Sequence, residues 1–110
     1  MQVESRIVNE CLIALSQAGC LAWRNDTGAY RTPEGRLIKY GLCKGSADII
    51  GISPDGTFLA IECKTTSGRT SPAQDRFLAA VQSKGGRAGV ARSADQAVAI
   101  ATGQRERLEP

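Results

Sequence analysis

A mixed α/β fold, a central sheet flanked by helices, is predicted by three observations. Apolar residues recur at helical spacing near both ends of the chain and once before its last strand. Short β-type runs lie between them, separated by Gly, Pro, Asn and Asp turn signals. The 110 residues are also the size of one domain. The predicted order is helix, strand, hairpin, strand, strand, helix, strand, helix. With 42% hydrophobic and 23% charged residues the chain has an ordinary globular composition. It contains no apolar run near the roughly 20 residues of a membrane span.

The first helix is expected over Gln2 to Ala18, where Val3, Ile7, Val8, Cys11, Leu12 and Leu15 fall within one half-circle and Gly19 follows as a stop. Glu4 lies in the middle of that apolar arc. It is either a carboxylate that needs a partner in the core or an acid favoured by the dipole of the first turn. Cys20 to Arg24 reads as a short strand, and Asn25-Asp26-Thr27-Gly28 as a turn. Tyr30 to Tyr40 forms a hairpin bent at Pro33-Glu34-Gly35.

Asp48 to Ile52 and Phe58 to Lys64 are apolar strands joined by a Ser53-Pro54-Asp55-Gly56-Thr57 turn. Alternation puts Ala60, Glu62 and Lys64 on one side and Leu59, Ile61 and Cys63 on the other. The next helix is announced by Ser71 as cap, Pro72 at its first position and Gln74 three after the cap, and Gly85-Gly86 end it. Gln74 shares a helix face with Phe77, Leu78 and Val81. Arg87 to Arg92 is the last strand, and Ser93 with Gln96 opens a short helix through Ala101.

Two counts narrow the chemistry. There is no histidine, which excludes Ser/His/Asp and Cys/His systems, His-ligated zinc and a histidine general base. Cys11, Cys20, Cys43 and Cys63 contain no C-x-x-C pair and no secretory leader is read. Reduced, mostly buried thiols in a cytoplasm are therefore expected. The net charge is +3, and residues 24–44 alone carry five bases, Arg24, Arg31, Arg36, Lys39 and Lys44, against Asp26 and Glu34. Such a segment fits a polyanion or a merely solvated basic loop. Asn25 and Tyr30 beside it, and Arg69 in the polar loop at 65–70, complete the expected DNA-contacting set.

Asp48, Glu62 and Lys64 carry the chemistry. Pairing of their two strands brings the acids to adjacent positions at one edge of the sheet. The repulsion between them is relieved by a hard divalent cation, which also takes a phosphate oxygen. Lys64 would position or help deprotonate the attacking water. The plain alternatives are a turn acid at Asp48 and an exposed Glu62–Lys64 ion pair worth under about 1 kcal/mol.

The runs Gly45-Ser46-Ala47-Asp48, Ile61-Glu62-Cys63-Lys64-Thr65 and Ser71-Pro72-Ala73-Gln74 with Phe77 resemble the VRR-NUC domain, a branch of the PD-(D/E)xK nucleases. Arg24 to Tyr30 and Val90 to Ser93 are similar to it as well. The resemblance covers about residues 2–101 and implies a restriction-endonuclease-like αβββαβ core, here with an extra basic hairpin. It implies Mg2+- or Mn2+-dependent phosphodiester hydrolysis, with Asp48, Glu62 and the backbone carbonyl of Cys63 as metal ligands. Glu4 completes the site directly or through water, Lys64 activates or orients water, and Gln74 matches the family's helix glutamine.

Ala47 replaces the superfamily's proline, which this branch often lacks. Small stand-alone members of phage and bacterial type are similar to junction resolvases that pair as homodimers. This implies branched DNA, such as a Holliday junction, as substrate, a second copy as partner and no membrane. A non-catalytic nucleic-acid-binding module on the same fold is the alternative. The domain is expected over residues 1–102, with 103–110 as a polar tail.

Overall fold

The computed structural model describes residues 3–103, so all but the first residue of the expected polar tail lies outside the described residues. The elements follow the predicted order: α1 (Val3–Gln17), β1 (Leu21–Arg24), β2 (Gly28–Arg31), β3 (Leu37–Tyr40), β4 (Ile49–Ile52), β5 (Phe58–Cys63), α2 (Pro72–Ser83), β6 (Arg87–Ala91) and α3 (Ala94–Ala101). The main sheet has the order β1-β4-β5-β6. Its first two pairings are antiparallel and β5–β6 is parallel, a step that needs the crossover α2 supplies. With α1 in front, this is the αβββαβ arrangement, and β2–β3 is a separate antiparallel ribbon inserted between β1 and β4.

Residue alternation divides the core into two layers. On one face Val8, Cys11 and Leu15 of α1 and Ala97 and Ala101 of α3 pack on Ile49, Leu59, Ile61, Cys63 and Ala91. On the other, Leu78, Phe77 and Val81 of α2 cover Ile50, Ala60, Ala88 and Val90, with Ala47 beside them. Leu15, Ile49, Leu59 and Ile61 are fully buried, each worth roughly 1.5–3 kcal/mol over exposure. β5 is apolar on both faces because helices lie on both, and β4 joins the α2 layer through Ile50.

α2 packs on β5 and β6 and makes no comparable contact with β1 or β4. The far half of that sheet face is therefore left open. Register aligns Leu21, Ile52 and Phe58 across it, and Trp23 lies two residues along from Leu21; all four are exposed. α2 starts as its sequence requires. The Ser71 hydroxyl accepts from the Gln74 amide and the Gln74 side chain returns the bond to the Ser71 amide.

Candidate active site

Strand register brings the acids together. Ile49 pairs with Ile61 in the β4–β5 ladder, so one residue further on Asp48 stands opposite Glu62. Asp48 precedes the first paired residue of β4 rather than opening the strand. Its side chain takes over the ladder there: Oδ2 accepts from the Cys63 amide at 2.9 Å. Its backbone carbonyl accepts from the Asn25 amide at 2.7 Å. Lys64 lies one residue past β5, where its amide donates to the Ala91 carbonyl at 3.1 Å.

Glu62 is the buried centre of the group, with its side chain 2% exposed. Oε2 accepts from Gln74 Nε2 at 2.9 Å and faces Lys64 Nζ at 3.2 Å. Oε1 is buried and has no hydrogen-bond partner among the described residues. Lys64 is itself only 13% exposed, so the pair is not the exposed surface contact that the sequence left open. Burial first, and then the nearby Asp48 carboxylate, push the Glu62 carboxyl up to about 7, against the opposing pull of Lys64. Gln74 makes both contacts at once: its Oε1 accepts from the Ser71 amide at the helix cap and its Nε2 donates to Glu62.

Glu4 stands in the first turn of α1 and also reaches this end of the sheet. Among the described residues, Glu4, Asp48 and Glu62 form the group able to hold a metal ion, with one oxygen of each within 4.8 Å of the others. A hard cation fits these residues: the donors are carboxylate oxygens, and the buried Oε1 of Glu62 lacks any protein donor.

The basic set is placed less uniformly. Tyr30, Arg31, Arg36 and Lys39 are exposed on the β2–β3 ribbon, and Lys44 and Arg69 on loops at the acid-bearing end of the sheet. Arg31 donates to the Gly35 carbonyl at 2.9 Å. Arg24 bonds Asn9 at 3.0 Å and lies 3.7 Å from Asp26. Asn25 faces inward, donating to Ser46 Oγ at 2.8 Å and to the Ala47 carbonyl at 2.9 Å. It thereby anchors the loop that delivers Asp48.

Sequence reasoning missed a counterpart. Arg92 Nη1 donates to the carbonyls of Thr65 and Gly68 and so holds the loop that follows Lys64. The signal was its position after the last strand, which parallel pairing carries to the same sheet end as Cys63. All four cysteines are free, but only Cys11 and Cys63 are buried; Cys20 is half-buried and Cys43 exposed. Apolar sites were available to the two whose strand or helix faces the core.

Fold and site together define an α/β domain whose acids converge at one end of a mixed sheet. The chain belongs to the VRR-NUC family: the model of the VRR-NUC domain matches residues 4–95. Membership makes it a nuclease-like domain. It is similar to a solved structure described as a VRR_NUC domain, with 21% identity, a TM-score of 0.60, and coverage of 96% of this chain and 97% of the other. A second, described as a VRR_NUC domain protein, shares 18% identity with a TM-score of 0.56, covering 98% and 91%. These likenesses show the fold. No curated protein matches the chain.

Proposed function

We propose that the protein is a divalent-metal-dependent DNA endonuclease that hydrolyses phosphodiester bonds in branched DNA. One observation carries this reading: among the described residues, one carboxylate oxygen each of Glu4, Asp48 and Glu62 lies within 4.8 Å of the others, and the buried Glu62 has an oxygen that no protein donor meets. The acids, with the Cys63 carbonyl, would hold Mg2+ or Mn2+. Such an ion supplies charge neutralisation at the scissile phosphate and lowers the pKa of water.

The chain's own residues do the rest. Gln74 and Lys64 both engage Oε2 of Glu62, which orients the carboxylate and leaves Oε1 without a protein donor among the described residues. The Cys63 amide fixes Asp48 in the same way. Lys64, largely screened from solvent, positions the attacking water and offsets the negative charge that grows on the phosphate. The basic ribbon and the Arg69 loop, rising at the acid-bearing end of the sheet, give duplex arms phosphate contacts.

A cytoplasmic homodimer is part of this proposal. The open sheet face with Leu21, Trp23, Ile52 and Phe58 supports pairing, since burying it removes a contiguous apolar surface from water. Free cysteines accord with a reducing compartment.

Purified protein is incubated with Mn2+ and end-labelled four-way junction, flap, duplex and single-stranded DNA, beside Asp48→Ala. Nicking by wild type and none by the variant is expected. Salt-dependent binding with no cutting under any metal would instead establish the non-catalytic nucleic-acid-binding module.

A further inference from the structure

The β2–β3 ribbon has two chemically different faces. Its register pairs Gly28 with Tyr40, Ala29 with Lys39, Tyr30 with Ile38 and Arg31 with Leu37. Alternation therefore gathers Tyr30, Ile38 and Tyr40 on one face and Arg31, Lys39, Ala29 and Leu37 on the other. Tyr40 lies across Gly28: its hydroxyl end occupies the space that a Cβ at that glycine would need. The missing side chain makes room for the ring. Tyr30 and Tyr40 are diagonal neighbours, with about 7–8 Å between such positions. Both are more than half exposed, at 56% and 52%.

The ribbon makes no extensive contact with any other element among the described residues. Its feet rise beside the acids: β2 begins three residues after Asn25, which bonds the Asp48 carbonyl, a reach of roughly 10 Å. An aromatic pair with no core to fill, backed by arginine and lysine, matches the chemistry of an unpaired nucleic-acid strand. Bases stack on the rings while cations hold the phosphates. Fully paired duplex presents phosphates to the basic face but hides its base faces from the tyrosines.

We propose that the Tyr30–Ile38–Tyr40 face is a stacking platform for unpaired nucleotides, and that the opposite face, through Arg31 and Lys39, holds phosphates. This rests on the nuclease reading above. It makes the preferred substrate a branch with unpaired bases at its centre or on one arm. The platform positions the branch and takes no part in bond breaking.

Binding is measured by fluorescence anisotropy without divalent metal, so that no cleavage occurs. The probes are a labelled duplex and the same duplex bearing an unpaired thymine arm. Tyr30→Ala/Tyr40→Ala is expected to lose about tenfold or more for the unpaired arm, with duplex affinity within about twofold of wild type. Arg31→Ala/Lys39→Ala should weaken both probes and flatten the salt dependence. Tyr30→Phe/Tyr40→Phe keeps the rings and should bind as wild type.

A 2-aminopurine in the arm is a second readout. Wild type should quench it and Tyr30→Ala alone, which leaves the Gly28–Tyr40 rung in place, should not. Equal loss on both probes, or no loss on either, overturns the platform. So does a shift from dimer to monomer in sedimentation with unchanged arm affinity, which would assign the face to a second copy. Cutting by wild type in Mn2+ alongside such a result would leave the nuclease reading intact.

Discussion

The chain contains two hairpins built on the same turn, and they meet opposite fates. β2–β3 bends through Thr32-Pro33-Glu34-Gly35-Arg36 and β4–β5 through Ser53-Pro54-Asp55-Gly56-Thr57. In both, the amide of the first residue donates to the carbonyl of the last and the glycine amide donates back to the first carbonyl. Both glycines are left-handed, at φ +86° and +89°. Between the turns and the feet the two diverge. β4 and β5 are apolar on both faces and buried along most of their length, whereas β2 and β3 alternate and, among the described residues, no other element packs extensively on either face. The buried hairpin can desolvate an acid at its foot. The exposed one can present cations and rings to a partner.

The largest test of this contrast is functional. Glu62→Gln, isosteric and still able to meet Gln74 and Lys64, should lower Mn2+-dependent nicking by a factor of about 1,000 or more, since it removes a cluster carboxylate. Gel assays of initial rates decide it, and a variant within tenfold of wild type would remove Glu62 from the site. Leu59→Ala in the buried hairpin should cost roughly 3–4 kcal/mol in urea unfolding. Leu37→Ala in the ribbon should cost under about 0.5 kcal/mol. Comparable losses would mean that the ribbon is packed like the core.

Acidity separates the hairpins next. The folded carboxyl of Glu62 sits near 7, above its unfolded value of 4.5. Its stabilising contribution is therefore fully present below about pH 4.5 and lost as pH rises through 7, a difference on the order of 3 kcal/mol. Metal-free protein should melt at a higher temperature at pH 6 than at pH 8, and added Mn2+ should recover stability more at pH 8, where proton and metal no longer compete. Glu62→Gln should abolish this slope. A wild-type slope that survives the substitution would place the titration elsewhere.

The smallest effect is at the turns. Alanine in a left-handed position costs about 1–2 kcal/mol, and no atom lies near enough to clash at either glycine. Gly56→Ala should move the global urea midpoint by that amount. Gly35→Ala should leave the midpoint in place and speed amide exchange in the ribbon only. Equal midpoint shifts would show that the ribbon unfolds with the sheet.

Local order was legible wherever it depends on near neighbours. Ser71, Pro72 and Gln74 announce α2, both Pro-acid-Gly turns are marked, and β4 and β5 show the unbroken apolar runs of strands buried on both faces. Asp48, Glu62 and Lys64 were legible as a set because strand pairing has a period of two and the turn between them fixes the register. The double duty of Gln74 was only half legible: a capping box is a local pattern, but a bond to Glu62 needs the distance between a helix and a strand. Asn25 and Arg92 were the least legible. Asn25 reads as an outward polar residue until its bonds to Ser46 and Ala47 turn it inward.

By itself the sequence determined the order of elements, the turn geometry and the absence of histidine, which leaves carboxylates and a lysine as the chemical groups. These follow from backbone preference and side-chain chemistry, which act over a few residues. Only the tertiary structure decided that β1 pairs with β4 and leaves the ribbon outside, that Glu4 meets Asp48 and Glu62, and that α2 leaves half a sheet face bare. Each depends on which apolar surfaces find each other across long stretches of chain. Packing settles that, because burial is non-directional and any one strand's pattern accepts several partners.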